Sequence, residues 1–236
     1  MSLPPAVYEL LAAPGAFALA AVHARRALGP RRAAVELFAL VAYGYGLERT
    51  AIVAFGSHDY GHAWRSAMGG VPVAVAVTWS AVIVAAMSLA SRLARSSVGR
   101  AAAAALIGIS LDLLMEPVAV RAGLWSWTPP GPWLDVPAGN FIGWAACGLL
   151  WAATAAMALR PRPSRVNAPR ESAGGPPERG LAARLGAAGG PLPASVLLLL
   201  AAVFTADALA QGDARLALVA LGSAGVLAAV AGRVAT

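Results

Sequence analysis

Long apolar runs alternate along this chain with short polar breaks, and the runs are longer than the elements of a soluble fold require. Windows of about 20 residues, long enough as helices to cross ~30 Å of hydrocarbon, lie near 4–24, 33–55, 71–91, 101–121, 138–159, 191–210 and 214–232. Each is too long for a strand and too poor in polar positions for a surface helix. The pattern therefore predicts an all-α, polytopic integral membrane bundle of about seven transmembrane helices. Glu9, Pro14 and Gly15 interrupt the first window, no basic segment leads it and no small-residue cleavage site closes it. It reads as a retained helix and not as a signal peptide. Residues 160–190 are rich in Pro, Gly, Ser and Arg and read as a flexible cytoplasmic linker. They divide a five-helix membrane domain, 1–159, from a two-helix C-terminal membrane segment, 191–236.

Composition agrees with the pattern: 59% of residues are hydrophobic, 12% are charged and mean hydropathy is +0.68. A soluble globule of 236 residues could not hide that much apolar surface. The net charge of +7 raises the question of nucleic acid. All the basic residues are arginines, however, and they sit in short loops between apolar spans, where topology requires them, so the bilayer is the implied partner and nucleic acid is not. Arg25, Arg26, Arg31 and Arg32, then Arg92, Arg95 and Arg100, then Arg160, Arg162, Arg165, Arg170, Arg179 and Arg184, with Arg233, fall on one side. Only Arg49, Arg65, Arg121 and Arg215 fall on the other. Positive charge stays inside, which places the N-terminus outside and the C-terminus in the cytoplasm. The single Cys147 allows no disulfide framework.

Against this background a few polar groups stand out. Asp112 and Glu116 lie on one face of the fourth span, four residues apart, and ionisable groups at bilayer depth are costly enough to imply a task. With the orientation above, Glu48 and Arg49 on the second span, Arg121 after the fourth and Asn140 on the fifth reach the same outer level. Loops add His58, Asp59, Tyr60 and His62 on one side and Trp125, Trp127 and Asp135 on the other, so a polar cluster lies under an aromatic lid. Each group also has a plainer reading. Arg49 or Arg121 could neutralise the acids, the tryptophans could form an interfacial belt, and Asn140 could cap its helix. If the 58–62 loop were helical, His58 and His62 with Asp59 could hold a metal, but three histidines in all are too few for a di-iron site. There is no Gly-rich phosphate loop and no GxSxG elbow, so nucleotide cofactors and a serine-hydrolase elbow have no support.

Leu111, Asp112, Glu116, Pro117, Val118, Ala119, Gly123, Trp125, Trp127, Val136, Pro137, Asn140, Phe141, Gly143 and Trp144 together resemble a pattern in one family of carotenoid-biosynthesis membrane proteins. That family includes the carotenoid 1,2-hydratases and bisanhydrobacterioruberin hydratase. A looser likeness runs from Glu48 through an aromatic, Gly-rich loop to Gly70, Val71, Pro72 and Trp79, and the whole covers about residues 36–155. Two departures are visible. Glu116 stands where the family usually has Asp, and Phe55, Gly56, Ser57, His58, Asp59 and Tyr60 replace its usual Gly-x-Pro-Phe-Gly-x-Tyr loop.

The resemblance implies a lyase that needs no cofactor and adds water to the terminal double bond of an acyclic carotenoid or related terpenoid. Asp112, Glu116 and Glu48 would be catalytic, and Trp125, Trp127, Asn140, Phe141, Trp144, Tyr60, Arg49 and Arg121 would bind substrate. Desolvation favours the protonated form of a carboxyl, which suits an acid that must protonate an alkene. Aromatic faces would stabilise the tertiary cation that follows. The implied setting is a bacterial or archaeal cytoplasmic membrane, with the site towards the non-cytoplasmic side and association with other carotenoid enzymes left open. A cyclase or isomerase using the same acid, a carotenoid or lipid carrier without catalysis, and a metal-dependent hydrolase at His58 and His62 remain alternatives.

Overall fold

Glycine and proline punctuate the helices. Gly29, at φ +81° and ψ 163°, a backbone conformation that glycine adopts without steric cost, ends the first of them, and Pro30 opens the second, where no amide is needed. Gly56 closes the second in the left-handed region, its amide and that of Ser57 returning to the carbonyls of Ile52 and Ala51. The computed structural model describes residues 2–157 and 181–235. Among them are α1 (Pro5–Leu28, with one π turn), α2 (Pro30–Phe55), α3 (Val73–Leu93), α4 (Ser97–Arg121), α5 (Ala138–Met157), α6 (Leu181–Ala187), α7 (Leu192–Gln211) and α8 (Ala214–Ala235). Six of these (α1, α2, α3, α4, α7 and α8) are long and apolar enough to cross a membrane. With 20 residues at ~1.5 Å each, α5 has the same reach. The all-α polytopic bundle expected from the sequence is the fold.

At its centre is α3. Of its most apolar window 67% is buried, against 17% for α2 and for α8. Ser80, Ala81, Ala85, Ser88 and Ala90 are fully enclosed, and such small side chains let α1, α2, α4 and α7 approach closely where lipid supplies no hydrophobic drive. Of the expected linker, 160–180 lie outside the described residues. Leu181–Ala187 forms α6, which packs on α1 and α3: His23 Nε2 lies 3.0 Å from both Leu185 O and Ser88 Oγ, and Arg92 Nε donates to Gly186 O at 3.2 Å.

Two short ribbons complete the end that carries the α2–α3 and α4–α5 loops. β2 (Ala67–Met68) turns through Gly69 and Gly70, both at positive φ, into β3 (Val71–Pro72), the hairpin turn that glycine pairs favour. β1 (His58–Asp59) pairs antiparallel with β4 (Ser126–Trp127), so His58 faces Trp127 across the two loops. The Thr128 amide adds a hydrogen bond to Ser57 O at 2.8 Å.

Candidate active site

Two tryptophans from different helices form the floor of the site. Trp79 of α3 and Trp144 of α5 stack with ring centroids 4.1 Å apart and planes within 13°. Gly44 and Gly108 make room on either side: a Cβ on Gly44 would lie 2.6 Å from the Trp79 Cβ, and one on Gly108 would lie 3.0 Å from Trp144 Cε3. An indole N–H among apolar neighbours needs an acceptor. For Trp79 it is Glu48 Oε1, at 2.6 Å. Beyond Trp144 lies Asp112, fully buried, whose Oδ2 accepts from Asn140 Nδ2 at 2.6 Å. Asp112 Oδ1 has no hydrogen-bond partner among the described residues.

Glu116, one turn further along α4, is held by the loop that follows its own helix. Gly123, at φ +70°, lets the chain double back, so that Trp125 Nε1 and Trp127 Nε1 both donate to Glu116 Oε2, at 2.9 and 2.8 Å. Its Oε1 accepts no hydrogen bond among the described residues. Glu48 Oε2 takes the Tyr60 hydroxyl at 2.9 Å and lies 3.0 Å from His58 Nε2. That contact is an ion-pair distance off the axis of a hydrogen bond, so the buried Nε2 is itself unpartnered. Burial, with the Glu48 carboxylate beside it, pushes the Tyr60 phenol well above its ordinary value and keeps it a donor.

These groups surround a cavity of about 530 Å³, within the size range of small-molecule sites. Glu48, His58, Tyr60, Trp79, Glu116, Trp125, Trp127, Asn140 and Trp144 line it, with Met115, Trp64 and, from α1 and α7, Tyr8, Leu200 and Phe204. Phe55, Thr128, Pro129, Gly139 and Gly143 are at once exposed and part of the wall. The cavity therefore opens between the end of α2 and the first turns of α5.

Of the residues expected from the sequence, Glu48, Glu116, Trp125, Trp127, Asn140, Trp144 and Tyr60 meet at this cavity, and Asp112 stands behind Asn140. Three expected binding residues do not reach it. Arg49 is turned ~100° from Glu48 around α2 and donates to Gly69 O at 2.6 Å. Arg121, past the acids on α4, pairs with Asp213 Oδ2 at 2.9 Å. Phe141, next to Asn140, is not among the residues that line the cavity. Neither buried acid of α4 is clamped by arginine among the described residues.

A metal at His58, Asp59 and His62 loses its geometric premise, because the segment is not helical: His58–Asp59 is a strand and Gly61–His62 a turn. Strand alternation buries His58 and exposes Asp59, whose Oδ1 accepts from the Gly61 amide, while His62 is exposed. Sequence reasoning missed Trp79 as a site residue, although its indole in an apolar span had Glu48 as an available acceptor. It also missed the contribution of α1 and α7: the buried Asp207 of α7 accepts from the Leu3 amide and the Tyr8 hydroxyl, which fixes Tyr8 at the cavity wall.

Comparison with known proteins identifies the family. Residues 6–178 match the family model described as carotenoid biosynthesis protein, whereas no curated protein and no solved structure matches the chain. A match over well over half of the 236 residues, enclosing every polar group of the cavity, shows that the chain belongs to the carotenoid biosynthesis protein family.

Proposed function

We propose that this protein is a cofactor-independent hydratase that adds water to the terminal double bond of an acyclic carotenoid or a related terpenoid. The observation that carries the reading is an apolar cavity whose wall bears Glu116 and Glu48, both held by neutral donors rather than by arginine. Glu116 is the proton donor. Its Oε2 is fixed by two indoles and its Oε1 is uncommitted, so a proton on Oε1 is presented to the cavity. Transfer to the end carbon of a trisubstituted alkene gives a tertiary cation, and Trp125, Trp127, Trp79 and Trp144 line the cavity in which that charge forms. Water then adds to the cation and gives up a proton to Glu48. Asp112 acts from behind the wall, orienting Asn140 towards the water.

The cavity mouth lies between two membrane-spanning helices, which suits a substrate that stays in lipid while one end reacts. Arginine placement puts this end of the bundle on the non-cytoplasmic side.

Expression in a host that accumulates lycopene tests the reading. The wild type should yield a pigment heavier by one water, and Glu116→Gln should lower its formation by about a hundredfold or more, the range for loss of a general acid. A product of unchanged mass but altered retention would instead indicate cyclisation or isomerisation. Unchanged pigment that copurifies with the protein would indicate a carrier.

A further inference from the structure

Hydration as described leaves a proton in the wrong place. After one turnover Glu116 has lost a proton to carbon, and the side of the cavity that holds Glu48 has gained one from water, while the net reaction, alkene plus water giving alcohol, consumes none. A second turnover requires that proton to return. The two carboxyls sit on different helices and share no hydrogen bond.

His58 lies between them. The Ser57 hydroxyl donates to Ala51 O at 3.1 Å, so towards the ring it accepts, from His58 Nδ1–H at 2.8 Å. With Nδ1 carrying hydrogen, Nε2 offers a lone pair 3.0 Å from Glu48 Oε2, buried and without any other partner. The β1–β4 register sets the same ring 4.9 Å from Trp127, whose indole N–H is bonded to Glu116. The titratable neighbours of the imidazole are thus Glu48 on one side, Glu116 one indole away and Tyr60, whose ring meets it edge-on at 4.9 Å.

Resting on the hydration reading, we propose that His58 is the proton-return group of the site: it takes from Glu48 the proton released by the captured water and delivers it, through water in the cavity, to Glu116. No redox partner is involved; the bonds that change are O–H and N–H.

Such a role separates the first turnover from those that follow. Purified protein and lycopene in detergent micelles are compared with protein in excess and with polyene in excess. In His58→Gln the reaction with protein in excess should stay within about threefold of wild type, since Glu116 starts protonated, while the polyene-excess rate should fall by about tenfold or more. An equal fall in both regimes, or in neither, overturns the role while leaving hydration standing. A wild type that forms no hydrate in either regime removes the hydration reading and this role with it. Should His58→Gln fail to fold, Ser57→Ala, which leaves the imidazole in place but frees its Nδ1, carries the same test: later turnovers should slow and the first should not.

Discussion

Tyr60 shows how much one side chain in this site is asked to do. It is 5% exposed, its hydroxyl donates to Glu48, and its ring meets His58 and Trp125 at 4.9 and 5.5 Å. A phenol in the unfolded chain ionises near pH ~10, whereas the folded one, raised by burial and by Glu48, holds its proton to higher pH. Below pH ~10 both states are protonated and the contribution of Tyr60 to stability is complete; above it the unfolded chain deprotonates first and stability falls. Tyr60→Phe keeps the ring contacts. It should cost about 1 kcal/mol at neutral pH, through the lost hydrogen bond, and flatten the alkaline decline. Thermal midpoints of both proteins between pH 7 and 11 check this, and parallel alkaline slopes would show that another group is responsible. At this scale the sequence was informative where rarity was the signal. Two acids four residues apart in an apolar span mark one face, and they share it. Arg49 and Arg121 were misleading because proximity in sequence is not proximity in space: one helical step rotates ~100°, and it sends Arg49 to a loop carbonyl instead of the cavity.

At the scale of elements, the mouth between α2 and α5 makes the sharpest claim. Gly143 is exposed on the cavity wall, and a Cβ there would meet nothing within 4 Å. Gly143→Leu should therefore fold normally and extend into the opening, lowering hydrate formation from lycopene by about tenfold, as expected when access rather than chemistry is obstructed. Gly108→Leu, which would strike Trp144, offers the contrast: it should lose stability by roughly 1–3 kcal/mol, the usual cost of overpacking. Pigment yield together with thermal stability of the purified variants distinguishes the two. Undiminished hydrate from Gly143→Leu would place the entrance elsewhere. Helix number and reach were legible because a bilayer imposes a length that composition records. The β1–β4 ribbon was not. Two residues per strand carry no periodicity, and only their pairing across distant loops reveals that His58 faces inward while Asp59 and His62 do not.

For the whole molecule, the division into polar ends was readable and the packing of α6 was not. A segment rich in Pro, Gly and Arg reads as unstructured, yet Leu181–Ala187 is held by His23 and Arg92 from two spans far away in sequence, contacts that no local signal announces. The arginines carry a prediction about the side of the membrane on which the cavity opens. Carrying an arginine to the centre of a bilayer costs on the order of 2.5–3.5 kcal/mol, and the cluster at the α1–α2 and α3–α4 turns, Arg25, Arg26, Arg31, Arg32, Arg92, Arg95 and Arg100, outnumbers the four at the cavity end. Inserting the first group across the membrane is the harder task, so the cavity end should be the one that crosses. Alkaline phosphatase, active only after export, should be active when fused after His62 and inactive after Ser96. A green fluorescent protein that matures only in the cytoplasm should give the reverse. The opposite pattern would move the mouth to the cytoplasmic leaflet and require the polyene end to be presented from there. Glu116, Glu48 and His58 would keep their geometry in either case, because their positions are set by Trp127, Trp79 and Ser57 and owe nothing to which face of the bilayer is outside.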